Sequence, residues 1–233
     1  MRMNLGQKAC LGLALSFSGV EAQTNLEMVE ASSLSQESYG RDRVSYNQWL
    51  ATSIDVGESE EAFRVSSVTL RARVLYPNAN VYVALYGTEG LRPSAAETFV
   101  LFDASSLAYA PSSPDSADFQ LSPVEGSTGT EAVLQPGQRY WLVLGVSDHD
   151  YDQDVSTGLY EWDYIESGKQ ISQDGNLIQI ADTIAAGGTG GQNWEPVSAS
   201  PQSFGIQLSP VPEPGVTSLL LCVLLGGLSV RRR

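Results

Sequence analysis

The chain is poor in the side chains on which metal and redox chemistry most often depend. Its 233 residues include two cysteines and one histidine. One cysteine lies near each end, Cys10 and Cys222, so the long stretch between them contains no thiol. A zinc site of the usual kind needs more imidazole or thiolate ligands than His149 supplies alone. The sequence therefore excludes a disulfide framework and a zinc centre from this stretch.

Basic residues are also scarce. Thirteen Lys and Arg stand against 27 Asp and Glu, which gives a formal net charge of −14. A nucleic-acid backbone or an anionic bilayer surface would repel such a chain, so nucleic acid is excluded as a partner. Hydrophobic residues make up 42% and charged residues only 17% of the sequence, which is enough apolar material to form a core.

The first 22 residues have the pattern of a secretory signal peptide. Arg2 and Lys8 supply the positive start, and residues 9–20 form an apolar segment too short to span a bilayer. Small side chains ending in Ala22 predict cleavage before Gln23. The alternative is a buried N-terminal helix, which the polar, acid-rich stretch that follows does not favour.

The last 24 residues have three parts in a fixed order. A Pro-Glu-Pro motif at Pro212, Glu213 and Pro214 precedes an uncharged stretch at 215–230. Sixteen residues of helix span about 24 Å, somewhat less than a bilayer core of about 30 Å, and arginine snorkelling covers the difference. A basic end follows, made of Arg231, Arg232 and Arg233. The positive-inside tendency keeps this end in the cytoplasm and the rest of the chain outside.

This tripartite end resembles the PEP-CTERM sorting signal of Gram-negative bacteria that make exopolysaccharide. The resemblance covers residues 210–233 and implies that an exosortase recognises Pro-Glu-Pro and removes the helix. It further implies export by the Sec machinery, a precursor transiently inserted in the inner membrane, and a mature form at the cell surface or in the extracellular matrix. The alternative is a plain single-pass anchor preceded by a proline-rich linker.

Between the two signals, short apolar or alternating runs separated by turn residues predict β-strands. The most apolar run, Tyr140–Val146, follows the turn Pro136-Gly137 and is predicted to be a central strand; Gly87 and Gly90 are predicted turn residues. The other predicted strands are Val65–Leu70, Arg71–Leu75, Val81–Tyr86, Phe99–Phe102, Phe119–Leu121, Leu159–Ile165 and Phe204–Leu208.

The predicted architecture is all-β. Residues 44–209 are expected to form an antiparallel β-sandwich or jelly roll, because strands every 10–20 residues alternate with loops rich in Gly, Pro and Ser. Residues 23–43 are polar and are interpreted as a flexible lead-in. The glycine-rich stretch Gly187–Gly191 is interpreted as a loop, since it lacks the strand-to-helix context of a phosphate-binding loop.

The same region resembles the choice-of-anchor R domain, a surface module fused to different bacterial anchors. The resemblance spans roughly residues 44–208 and is carried by Trp49–Ser53, Val68–Leu70, Val81–Tyr86, Tyr140–Leu144 and Phe204–Ile206. The strand Tyr140–Leu144 after its proline turn is the most specific part. The resemblance implies a fold and a location at the cell surface, but no chemical activity.

The acidic run Asp148–Asp154 is the sharpest local feature. Asp150, Asp152, Asp154 and Glu161 fall at positions 1, 3, 5 and 12 of the calcium-loop spacing. Val155 stands where such a loop requires glycine, and the flanks are predicted strands instead of helices. The residues are therefore a candidate Ca²⁺ site of a looser kind, with a solvated acidic loop as the alternative.

Three aromatic residues, Tyr160, Trp162 and Tyr164, share one face of a predicted strand, while Glu161 and Asp163 share the other. An exposed aromatic row would stack on sugar rings; the alternative is that the row belongs to the core. His149 lies between two aspartates and has no accompanying nucleophile motif, so no catalytic triad is predicted.

These features predict an exported, non-catalytic binding or structural module associated with exopolysaccharide or a biofilm matrix. One alternative is a carbohydrate-active hydrolase that uses two acidic groups within 148–166, since a glycoside hydrolase needs only a suitably placed pair. Another is a purely structural coat protein without a specific ligand. An exposed aromatic platform would favour the binding module, and a cleft with two carboxylates would favour the hydrolase. The absence of both would favour the structural coat protein.

Overall fold

The structure, a computed structural model, is built almost entirely of antiparallel β-sheet. It describes residues 29–58, 62–77, 80–125, 133–147, 159–166, 171–173, 178–188, 191–197 and 200–211. The described residues form two seven-stranded sheets, and every strand pair is antiparallel. The predicted all-β class is therefore confirmed.

The first sheet has the order β1-β14-β4-β10-β2, with β7 and β8 also paired to the long strand β4. Its strands are β1 (Val29–Ser32), β2 (Gly40–Val44), β4 (Phe63–Val74), β7 (Ala117–Leu121), β8 (Val133–Leu134), β10 (Tyr160–Tyr164) and β14 (Phe204–Pro210).

The second sheet has the order β11-β12-β3-β9-β5-β6, with β13 paired to β12. Its strands are β3 (Trp49–Val56), β5 (Val81–Glu89), β6 (Arg92–Leu101), β9 (Arg139–Val146), β11 (Ile171–Gln173), β12 (Ile178–Gly187) and β13 (Glu195–Val197). One short helix, α1 (Ser105–Ala108), follows β6.

Side-chain alternation along the strands creates one core between the two sheets. In β4, Phe63 and Val65 are buried while Arg64 between them is exposed, as the two-residue period of a strand requires. Leu70 and Trp162 from the first sheet join Leu50, Ile54 and Leu142 from the second in one hydrophobic cluster. Burial of this apolar surface is the main force that holds the two sheets together.

The predicted central strand is confirmed as β9, which lies between β3 and β5. Tyr140 and Leu142 face the common core, whereas Trp141 and Val143 belong to a second cluster on the opposite face of the sheet. Because both faces of β9 are covered, its sequence is continuously apolar and does not alternate between apolar and polar residues.

The interpretation of residues 23–43 as a flexible lead-in was wrong for its described part. This segment contains β1 and β2. Val29 to Ser32 pair with Leu208 to Gly205, and Ala31 is fully buried. The segment is polar and contains few apolar residues, so its composition gives no sign of strands. Its strands form because their backbone pairs with strands that are distant in sequence.

The predicted turn residues divide into two groups. Gly90 and Gly137 have φ of +65° and +68° and lie in turns, where glycine has no steric penalty. Gly87 is instead inside β5, at an irregularity in the pairing between β5 and β6. Its prediction as a turn residue was wrong, because glycine marks a strand bulge as well as a turn.

Candidate functional site

Strand β10 carries most of the candidate site residues that the structure describes. It lies between β2 and β4, with Glu161 opposite Arg43 on one side and Arg73 on the other. Tyr160 and Trp162 point into the core, and Glu161 and Asp163 lie on the outer face of the sheet. The predicted division of these residues between two faces of one strand is therefore confirmed.

Glu161 is held between two guanidinium groups. Its Oε2 lies 3.3 Å from Arg73 Nε and its Oε1 lies 3.9 Å from Arg43 Nε. The Glu161 side chain is only 15% exposed, whereas that of Arg43 is 61% exposed. Two positive charges thus flank one carboxylate, and the Arg43 side chain is largely exposed to solvent.

Asp163 is the most deeply buried carboxylate on this face, with a side chain that is 2% exposed. Its Oδ1 accepts a hydrogen bond from Arg41 Nε at 3.2 Å and one from the Ser116 hydroxyl at 2.6 Å. A buried charge is costly unless it is paired and hydrogen-bonded, and here it has both kinds of partner.

A fourth ion pair joins β4 to β7. Arg71 donates from Nε to Asp118 Oδ1 at 2.8 Å and from an Nη group to Oδ2 at 3.1 Å, a bidentate arrangement. The hydrogen bonds to Asp118 raise the pKa of the Arg71 guanidinium further above its ordinary value, against the opposing effect of burial. The ion pair with Asp118 therefore favours the charged form of Arg71.

These charged groups lie at paired positions of neighbouring strands in the first sheet, and we call them the arginine–carboxylate face. Four guanidiniums and three carboxylates contribute to it, so the face is locally positive by one charge although the chain carries −14. Its members are Arg41, Arg43, Arg71, Arg73, Asp118, Glu161 and Asp163.

One end of the arginine–carboxylate face opens into a depression of about 390 Å³, which we call the Arg43 pocket. Tyr76, one of its lining residues, is 45% exposed. The Ser112 hydroxyl, also in the lining, donates to the Leu75 carbonyl at 2.7 Å. The lining residues are Arg43, Arg73, Leu75, Tyr76, Ser112 and Glu161.

The proposed row of glycan-stacking residues requires a correction. Tyr160 and Trp162 are fully buried, and the Trp162 indole donates to the Ser203 carbonyl at 3.0 Å. Neither ring can stack on a sugar, and both belong to the core, as the alternative interpretation had it. Tyr164 alone of the three is partly exposed, beside the exposed ring of Tyr39.

A second aromatic cluster, which sequence reasoning did not identify, covers the outer face of the second sheet. Trp49 and Trp141 are anchored by indole hydrogen bonds, to the Val146 carbonyl at 3.0 Å and to the Thr88 hydroxyl at 2.7 Å. The uninterrupted apolar sequence of β9 could have indicated this cluster, because such a strand needs other residues to pack on both of its faces. The cluster consists of Trp49, Ala51, Ala84, Tyr86, Trp141, Val143 and Trp194.

Several predicted sites lie outside the described residues. These are the calcium candidates Asp150, Asp152 and Asp154, together with His149 and both terminal signals. The fourth calcium candidate, Glu161, is described and contacts two arginines. Within the described ranges, no group of three or more potential metal ligands occurs. The calcium site stays a prediction.

Comparison with known proteins does not assign the chain to a family: no family model and no curated protein matches it. In the part of the chain that the structure describes, no helix has the length and apolar character needed to cross a bilayer. The predicted sorting helix at 215–230 is not among those residues.

Proposed function

We propose that this protein is an exported surface or matrix protein of a Gram-negative bacterium, processed by an exosortase and associated with exopolysaccharide or biofilm. In this proposal, its β-rich region acts as a non-catalytic binding or structural module of the sandwich or jelly-roll type. The observation that carries the proposal is the C-terminal order of Pro212-Glu213-Pro214, an uncharged stretch at 215–230 and three arginines, in a chain that starts with a signal-like segment.

The positions of the two proposed cuts are compatible with the fold. The last strand, β14, ends at Pro210, and the Val211 amide donates to the Ala62 carbonyl at 2.9 Å. The Pro-Glu-Pro motif begins at the next residue. The first strand begins at Val29, after the predicted cut before Gln23. Both cuts would therefore leave every described strand in place.

The contacts of the β10 carboxylates favour a non-catalytic role over hydrolysis. A glycoside hydrolase needs one carboxyl group that donates a proton and a second that is free to act as base or nucleophile. Glu161 and Asp163 are instead paired with Arg73 and Arg41, and Asp163 also accepts a hydrogen bond from the Ser116 hydroxyl. These contacts give both carboxylates a structural role in joining β10 to its neighbours.

The proposal is tested by intact-mass analysis of the full-length chain expressed in a Gram-negative host with and without an exosortase. With the exosortase, we expect a surface form that starts at Gln23 and lacks residues 215–233. Replacement of Pro212, Glu213 and Pro214 by alanine should leave the tail attached, whereas the exposed control Glu195→Ala should be processed normally. Recovery of a mature wild-type protein that keeps Arg231 to Arg233 would refute the sorting proposal.

A further inference from the structure

The Arg43 pocket contains charge and ring surface that the proposed function does not use. We infer that it binds a carboxylated sugar residue, such as a uronic acid unit of an anionic polysaccharide. The inference deepens the proposed function and rests on it for the source of the polysaccharide. The binding chemistry itself depends only on the residues of the pocket.

The first argument is the concentration of positive charge. The described residues contain seven arginines, and four of them lie on the arginine–carboxylate face. In the pocket, Arg43 and Arg73 share one carboxylate, that of Glu161. Among the described lining residues, one positive charge is thus left without a matching negative charge. A local excess of this kind attracts an anion that the rest of this acidic protein repels.

The second argument is hydrogen-bonding capacity. A guanidinium has five N–H donors. The 3.9 Å separation of Arg43 Nε from Glu161 is too long for a hydrogen bond. Arg73 Nε lies 3.3 Å from Glu161 but is buried without a hydrogen-bond partner among the described residues, so the geometry of that contact is poor. Arg73 Nη1 also donates to the Pro114 carbonyl at 3.4 Å. Arg43, whose side chain is 61% exposed, is therefore the residue that offers accessible donors for a second carboxylate, the planar group that guanidinium binds best.

The third argument selects a sugar over a simple anion. The exposed ring of Tyr76 offers an apolar surface for the C–H face of a pyranose. The Ser112 hydroxyl donates to the Leu75 carbonyl, so its oxygen lone pairs can accept from a sugar hydroxyl. The depression of about 390 Å³ falls within the range of small-molecule sites, roughly 300–1,000 Å³, and holds one or two sugar rings.

The test measures binding of the purified full-length protein to polygalacturonate, dextran and polyglutamate by isothermal titration calorimetry. We expect binding to polygalacturonate that weakens with added salt, and no binding to dextran, which lacks carboxylates. Polyglutamate carries carboxylates on a peptide, so it should bind at least several-fold more weakly than polygalacturonate.

Point variants locate the binding. Arg43→Gln should lower the affinity for polygalacturonate about tenfold or more, since hydrogen bonds to a charged group are lost. Tyr76→Ala should lower it several-fold. The control Arg92→Gln removes the same charge from the β5–β6 hairpin, where the side chain is 50% exposed, and should leave affinity unchanged. All three positions are exposed, and the melting temperature of each variant is measured to check that it is folded.

Three results would overturn the inference: binding of dextran as strong as that of polygalacturonate, equal effects of Arg43→Gln and Arg92→Gln, or equal binding of polyglutamate with no effect of Tyr76→Ala. The last would indicate general anion attraction instead of a sugar site. None of these results affects the intact-mass test of C-terminal processing. Failure of this inference is therefore distinguishable from failure of the sorting proposal.

Discussion

Tyr86 and Tyr140 occupy opposite faces of the second sheet, and burial affects the ionisation of both phenols. Tyr86 belongs to the outer aromatic cluster and donates to the Tyr82 hydroxyl at 3.3 Å, while Tyr140 faces the common core. Burial raises the pKa of Tyr86 well above its ordinary value, and the hydrogen bond to Tyr82 adds to the effect. Burial also raises the pKa of Tyr140, against the lowering effect of its hydrogen bond from the Gln135 amide.

These shifts predict a loss of stability at high pH. The unfolded chain releases its phenolic protons near pH 10, before the folded chain releases those of Tyr86 and Tyr140. The contribution of these two protonated phenols to stability is therefore fully present below about pH 10. The free energy of unfolding falls as the pH rises further. Denaturant titrations at a series of alkaline pH values should show this fall.

Phenylalanine variants assign the pH dependence to particular residues. Tyr86→Phe and Tyr140→Phe should each flatten the decline above about pH 10, whatever their effect on stability at neutral pH. Tyr39→Phe is the matched control, because Tyr39 is 71% exposed. An alkaline slope that is the same in wild type and in the Tyr86/Tyr140 double variant would contradict this explanation.

At the scale of elements, β9 depends on a close approach between its backbone and an indole ring. Gly145 lies directly under the Trp49 ring, whose Nε1 donates to the carbonyl of the next residue, Val146. A methyl group at position 145 would overlap the ring of Trp49. Because that ring is anchored at its nitrogen and buried, it has little room to move.

Gly145→Ala should therefore lower the free energy of unfolding by about 1–3 kcal/mol, the usual range for overpacking a core. The matched control is Gly188→Ala, since a Cβ there meets only the Gln192 carbonyl oxygen at an ordinary 3.5 Å. Chemical denaturation monitored by tryptophan fluorescence measures both. Equal stability of the two variants would show that Trp49 shifts freely.

At the scale of the whole molecule, the two ends of the described chain are joined side by side. Ser33, directly after β1, donates its hydroxyl proton to the Phe204 carbonyl at 3.0 Å and accepts from the Phe204 amide at 2.9 Å. Ser33 is fully buried, and 171 positions separate the two residues in the sequence. This contact holds the N-terminal strand on β14, just ahead of the proposed sorting motif.

Ser33→Ala should cost about 2 kcal/mol, because it leaves buried backbone groups of Phe204 with fewer partners. For a domain of this size, that corresponds to a fall of about 4–8 °C in melting temperature. Ser38→Ala is the control from the same segment, since its hydroxyl bond to the Gly40 carbonyl is exposed and local. A melting temperature unchanged by Ser33→Ala would mean that β1 contributes little to stability.

The sequence by itself determined the fold class and the face on which each residue of β10 lies. Both follow from local periodicity, because the alternation of Tyr160, Glu161, Trp162 and Asp163 divides them between core and surface whatever the neighbouring strands are. The two terminal signals are likewise local patterns, and they were predicted without reference to the fold.

Only the tertiary structure decided which face of β10 lies in the core and which faces the arginines of neighbouring strands. The aromatic residues form the buried face, and the exposed face is made by arginines from β2 and β4, up to 122 positions away in the sequence. Strand β1 was missed for the same reason, since its order comes from pairing with β14. Cross-strand partners are set by sheet order and register, and these depend on how the whole core packs, which no local pattern records.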